Sequence, residues 1–224
     1  MSHPDFADSQ LRERKKRQTR SRLIDATLEL AERQGYEQTT VEQIADAVDV
    51  SPRTFARYFS HKNAPILTLI DLLTSAVNDE IDRIPPEVPP LPALLAANLA
   101  MLQRTRAGGG PMSSERFVTL LRIVNNSADL HNIAVALRSQ ETCTTIATRS
   151  GCSPDDPAVV LISAVWAAIL STAWADLGTK TGPSLPPPQD LPEQMHALLT
   201  QTYDHFSSLC DAINTNNHVT EGVS

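Results

Sequence analysis

Residues 39–62 read TTVEQIADAVDVSPRTFARYFSHK, and no other stretch restricts the possible folds so strongly. Thr40 precedes Gln43 by three, the spacing of a reciprocal helix-starting box. Val41, Ile44, Ala45 and Val48 then recur at helical period. Asp49 is the expected turn residue, because its short polar side chain tolerates left-handed backbone. Ser51 can cap a second helix and Pro52 suits its first turn, where a missing N–H leaves nothing unpaired. Phe55 and Phe59, four apart, face inward, while Arg53 and Arg57 share another face and point out. Two short helices, a tight turn and a cationic outer face describe a helix-turn-helix.

The pattern Gly35-Tyr36, Thr39-Thr40-Val41, Ile44-Ala45, Val50-Ser51, Thr54-Phe55, Tyr58-Phe59 and Lys62 resembles the DNA-binding domain of the TetR family of bacterial regulators. The resemblance covers about residues 14–66. Asp49 stands where the family usually has Gly, and Ala56 where it often has an aromatic residue. By position, the resemblance implies that the second helix enters the major groove, with Arg53, Arg57 and Pro52 against base edges. Guanidinium can bind guanine O6 and N7 in a fork. It implies phosphate contacts from Thr40, Ser51, Thr54, Tyr58, Lys62 and Lys16, which set register rather than sequence.

The net charge of −7 hides an asymmetry. Residues 1–62 hold 11 Lys/Arg against 10 Asp/Glu, and the rest hold 8 against 16. Seven basic residues fall between Arg12 and Arg22, a cluster that attracts phosphate without regard to sequence. Cys143, Cys152 and Cys210 are an odd, scattered set with neither disulfide-framework nor metal-ligand spacing. The simplest compartment is a reducing cytoplasm. No signal-peptide core is present at the N-terminus, and the apolar stretch Ala158–Ala175 is read as a buried helix rather than a bilayer span.

Periodicity predicts an all-α chain of about nine helices. A mobile arm at 1–10 leads into a DNA-binding domain at 11–61. A helical ligand-binding and dimerisation domain follows at 62–213, with a disordered tail at 214–224. The first helix is expected from Leu11 to Gln34, and a fourth from Lys62 to Ile84, ended by Pro85-Pro86. Further helices are expected near 89–105, 114–126, 129–149, 154–177 and 191–213. The helix at 154–177 is apolar nearly all round, which implies burial on more than one side. With the last helix it is the expected homodimer surface, through Val165, Ile169, Leu198, Thr202, Phe206 and Leu209. Pairing subunits sets two recognition helices against two half-sites of a palindromic operator.

Polar residues on apolar stripes point to a cavity for a small lipophilic effector. The expected lining is Asn98, Met101, Leu102, Arg122, Asn125, Leu137, Glu141, Thr144, Trp166 and Leu170. These features predict a ligand-responsive transcriptional regulator, most simply a repressor that an effector releases from DNA. Alternatives are a DNA-binding protein without an effector, or an activator. Catalysis is not expected: there is no Ser/His/Asp or Cys/His grouping, no metal motif, and no cofactor-binding loop, since Gly108–Gly110 lacks a strand-turn-helix context.

Overall fold

The Thr40 hydroxyl accepts from the Gln43 N–H, and the Gln43 side chain accepts from the Thr40 N–H at 3.0 Å. This box starts α2 (Val41–Asp46). Ser51 opens α3 (Pro52–Tyr58) by accepting from the Thr54 N–H at 3.1 Å. Between the two, Asp49 has φ 58° and is the one non-glycine with positive φ among the described residues. A β-branched side chain fits that conformation poorly. Asp49→Val should lower stability by about 1–2 kcal/mol, and Asp49→Gly should hold or raise the melting temperature. Equal melting temperatures for the two variants would mean that the turn does not need this backbone.

These elements come from a computed structural model that describes residues 4–179, 182 and 185–220. All regular structure among them is helical, in nine helices. The first, α1 (Pro4–Gln34), begins before the expected Leu11 and takes in residues 4–10 of the expected arm. Gly35, at φ 89°, ends the helix. The last helix, α9 (Leu191–Thr220), overruns the expected stop at 213. After Pro192 the sequence offers no Gly or Pro to break it before Gly222. Residues 1–3 and 221–224, the remainder of the expected arm and tail, lie outside the described residues.

The middle of the chain holds α4 (Ala64–Ile81), α5 (Pro90–Arg106), α6 (Ser114–Asn125), α7 (Ala128–Ser150) and α8 (Pro157–Trp174). α4 is packed along its whole length, roughly 27 Å at 1.5 Å per residue. Its first half places Ile66, Leu69 and Ile70 in one core with Leu23, Ile44 and Phe55. Its second half places Val77 and Ile81 against another core with Leu94 and Trp166. α6 and α7 are shared in the same way: Leu120, Ile123 and Leu130 belong to the first core, Phe117 and Ile146 to the second. The boundary drawn at 61/62 therefore ends a motif and is not a gap in packing.

Polar ties fix the helix ends. Arg149 on α7 donates to the carbonyls of Ile84 at 3.0 Å, of Pro85, and of Val88 at 3.3 Å, closing the chain after α4. Glu80 near the end of α4 is buried and accepts from Arg104 at 2.6 Å and Arg83 at 2.8 Å. These bonds, with that from Arg104 the stronger, hold its carboxyl below the usual 4.5. A depressed carboxyl pKa stabilises the fold above the ordinary carboxylate range, and the contribution fades as pH falls through the lowered value. Glu80→Gln should therefore be less stable than the wild type at neutral pH. Its deficit in acid titration should shrink below about pH 4.5; a deficit independent of pH would remove the ion pairs as its cause.

By length and composition α8 is apolar enough to cross a membrane. Here its inner face, including Val159, Trp166, Ile169 and Trp174, lies in the second core. Its outer row, Leu161, Ala164, Ala168 and Thr172, is exposed and mostly apolar or small.

Candidate DNA interface and ligand cavity

α3 carries no acidic residue, and its outer face is cationic. Arg53 is exposed and has no hydrogen-bond or ion-pair partner among the described residues. Arg57 is exposed too, its guanidinium 5.5 Å from the Tyr58 ring centroid. Both are thus free to meet a groove. Pro52, Thr40 and Ser51 are exposed, whereas Thr54 and Tyr58 are half-buried. Thr54 and Ser51 pair through their hydroxyls at 3.0 Å.

Lys62 folds back on the DNA-side unit. Its Nζ donates to the Tyr36 carbonyl at 3.2 Å and sits 4.3 Å from that ring's centroid. An ammonium has three N–H donors, so others remain for a phosphate. Burial, with help from Glu37 and Asp129, pushes the Tyr36 phenol up to about 12, so it stays neutral. Arg20 lies 5.0 Å from the Phe59 ring and donates to Thr68 at 3.0 Å, so this face of α1 abuts the end of α3. Lys16 is one turn earlier on that face and exposed, with Glu13 4.0 Å away.

A cavity of about 100 Å³ opens between α4, α5, α6, α7 and α8, with Met195 of α9 at its edge. One water needs roughly 10–15 Å³ on the same measure, so the space exceeds a trapped solvent molecule. α4 contributes Ile70, Leu73, Thr74, Val77 and Asn78; Phe117, Leu121, Trp166 and Trp174 add apolar walls. Five expected lining residues are here: Asn98, Met101, Asn125, Trp166 and Leu170. The donors of Asn125 are already engaged, at 2.9 Å to the Trp174 carbonyl and 2.8 Å to that of Leu177. The Trp174 carbonyl, at the end of α8, also accepts from the Leu177 N–H at 3.2 Å. Asn98 donates back to the Leu94 carbonyl at 2.8 Å.

Five others do not line the cavity. Leu102 is fully buried but turned into the second core, one position from Met101. Arg122 points away and pairs with Glu32 of α1 at 2.6 Å. On α7 the row Leu137, Glu141, Thr144 is the wrong one: Glu141 and Thr144 are exposed and Leu137 half-buried. The row facing inward is His131, Ala134, Arg138 and Thr142. Both rows pass close to Ala134, and the inward one carries polar residues that a hydrophobic stripe cannot reveal. Burial lowers the pKa of His131, aided by the nearby Arg138 charge, which favours a neutral imidazole.

Of the expected dimer residues, Val165, Leu198, Thr202 and Phe206 are half-buried and Leu209 is 65% exposed. Ile169 is corrected: at 4% exposure it lies within its own protomer's core, about 100° round the helix from the Ala168 row.

Residues 23–64 match the sequence profile of "Bacterial regulatory proteins, tetR family". The HTH-type transcriptional regulator TcmR of Streptomyces glaucescens is 40% identical over 152 residues, 65% of this chain and 66% of that protein. The HTH-type transcriptional repressor KstR of Mycobacterium tuberculosis is 37% identical over 79 residues, 35% of this chain and 33% of that protein. Neither match reaches two thirds of the relative's length. A crystal structure of Thermus thermophilus FadR, a TetR-family repressor bound to lauroyl-CoA, aligns at TM-score 0.47 and 19% identity over 82% of this chain and 93% of that one. At that likeness nothing about binding passes to this chain.

Fold and site together define a helix-turn-helix DNA-binding unit within an all-helical chain. Residues 23–64 carry the DNA-binding motif of the TetR family of bacterial regulators.

Proposed function

We propose that this chain is a homodimeric repressor, acting in the cytoplasm, that a lipophilic small molecule releases from a palindromic operator. The observation that carries the reading is the position of α4. One end is built into the core beneath α3, and the other forms a wall of the cavity. α6 supports the same route. It lines the cavity with Phe117 and Leu121 while gripping α1 through Arg116–Asp25 at 2.8 Å and Arg122–Glu32 at 2.6 Å.

Drug-sized ligands occupy clefts of roughly 300–1,000 Å³, so one entering this space must push its walls apart. The two helices that move would carry the recognition helix with them. A ligand shifts DNA affinity only by its preference for one arrangement over the other. Arg53, Arg57 and Pro52 take base edges in this reading. Thr40, Ser51, Thr54, Tyr58, Lys62 and Lys16 take phosphates. The subunits pair through the outer row of α8 with Thr202, Phe206 and Leu209 of α9.

The test couples two titrations. Compounds that raise the melting temperature of the protein are added to its complex with a bound DNA fragment and followed by fluorescence anisotropy. The account expects such compounds to release the DNA. Compounds that stabilise the protein yet leave its DNA affinity unchanged would contradict an effector role for the cavity.

A further inference from the structure

We propose that the effector is an organic anion, and that Arg138 is the residue that receives its acidic group. This rests on the cavity being the effector site. Arg138 sits in the middle of α7, half-buried, and lines the cavity. It also borders a second space of about 10 Å³ between α7 and α8, beside Ser139 and Ser163. Its guanidinium has no ion-pair or hydrogen-bond partner among the described residues, although the side chain is half-buried and faces the cavity.

No carboxylate lines either space. Glu141, three residues on, is exposed and does not reach it. Ser163, the nearest hydroxyl of α8, donates instead to the Ser139 carbonyl at 2.9 Å. Thr142 likewise donates back to the Arg138 carbonyl, at 2.7 Å.

A buried cation without a counter-charge is unfavourable, and guanidinium keeps its proton under all ordinary conditions. Desolvation lowers the pKa of Arg138, which shows that its charge lacks a compensating partner. The missing partner is therefore an anion from outside. The planar fork of donors matches a carboxylate, bound through two parallel N–H···O bonds. The rest of the lining, with Trp166, Phe117 and Leu121, suits an apolar body. The ligand chemistry that follows is an amphipathic carboxylic acid, aromatic or aliphatic, held as its anion.

The probes are matched pairs: naphthalene-2-carboxylate with naphthalene-2-carboxamide, and decanoate with decanamide. Binding to the full-length protein is measured by calorimetry, and DNA release by anisotropy. The acids should bind more tightly than their amides by roughly thirtyfold, the usual consequence of losing a buried charge partner. Arg138→Met should abolish that preference, leave amide binding unchanged and raise the melting temperature of the unliganded protein. Arg138→Lys should restore part of the preference. Equal binding of acid and amide to the wild type, a result that needs no variant, would overturn the assignment. Amides that release DNA better than acids would overturn it while leaving the effector site intact. If no member of either series binds, both the assignment and the effector role of the cavity fall.

Discussion

Replacing Arg53 and Arg57 together by alanine should leave a folded dimer that no longer tells one DNA sequence from another. Both side chains are exposed, so stability should stay within about 0.5 kcal/mol of wild type. Each well-placed guanidinium–guanine pair contributes about 1–3 kcal/mol of discrimination. Losing two should lower operator affinity by roughly 30-fold to more than 10⁴-fold, while affinity for scrambled DNA falls only modestly. That residual affinity comes from the basic cluster of α1 and should weaken steeply with added salt. Titrations of both duplexes at two salt concentrations separate the terms. Parallel losses on operator and scrambled DNA would reduce the arginines to phosphate contacts.

The second large effect concerns subunit pairing. Leu161 and Leu209 are 64% and 65% exposed, among the most exposed large apolar side chains of the described residues. In a monomer, aspartate at both positions touches water and changes stability little. In the proposed dimer each charge is buried without a partner, which costs several kcal/mol per ion. Leu161→Asp/Leu209→Asp should therefore sediment as a folded monomer. Two linked half-site contacts then become independent ones, and operator affinity should drop by about 10²–10⁴-fold. A variant that still sediments as a dimer would place the interface elsewhere.

What the sequence disclosed follows the range of the interactions involved. The Thr40–Gln43 box, the Ser51 cap and the left-handed Asp49 are set within a few residues, and each was readable. Outward Arg53 and Arg57 followed from the same local register. The cavity was half readable. Asn98, Met101 and Trp166 sit on stripes whose apolar neighbours fix the inward direction. On α7 the inward row is marked by Arg138 and Thr142, whose polarity points, by the usual rule, toward solvent. Their inward direction depends on the helices packed against α7, and no local pattern encodes it. Arg122 was misplaced for a similar reason: its partner Glu32 lies 90 residues away on α1. Ile169 looked like a dimer contact because α8 is apolar on several sides, and only packing decides which side meets α7 and α9.

The most direct test is recovery of genomic fragments by the purified wild-type protein alongside the Arg53→Ala/Arg57→Ala variant. The account predicts that wild type enriches inverted repeats with half-sites one or more helical turns apart, about 34 Å each, and that the variant enriches none. Recovery of the same fragments by both proteins, or of fragments without inverted repeats, would contradict it.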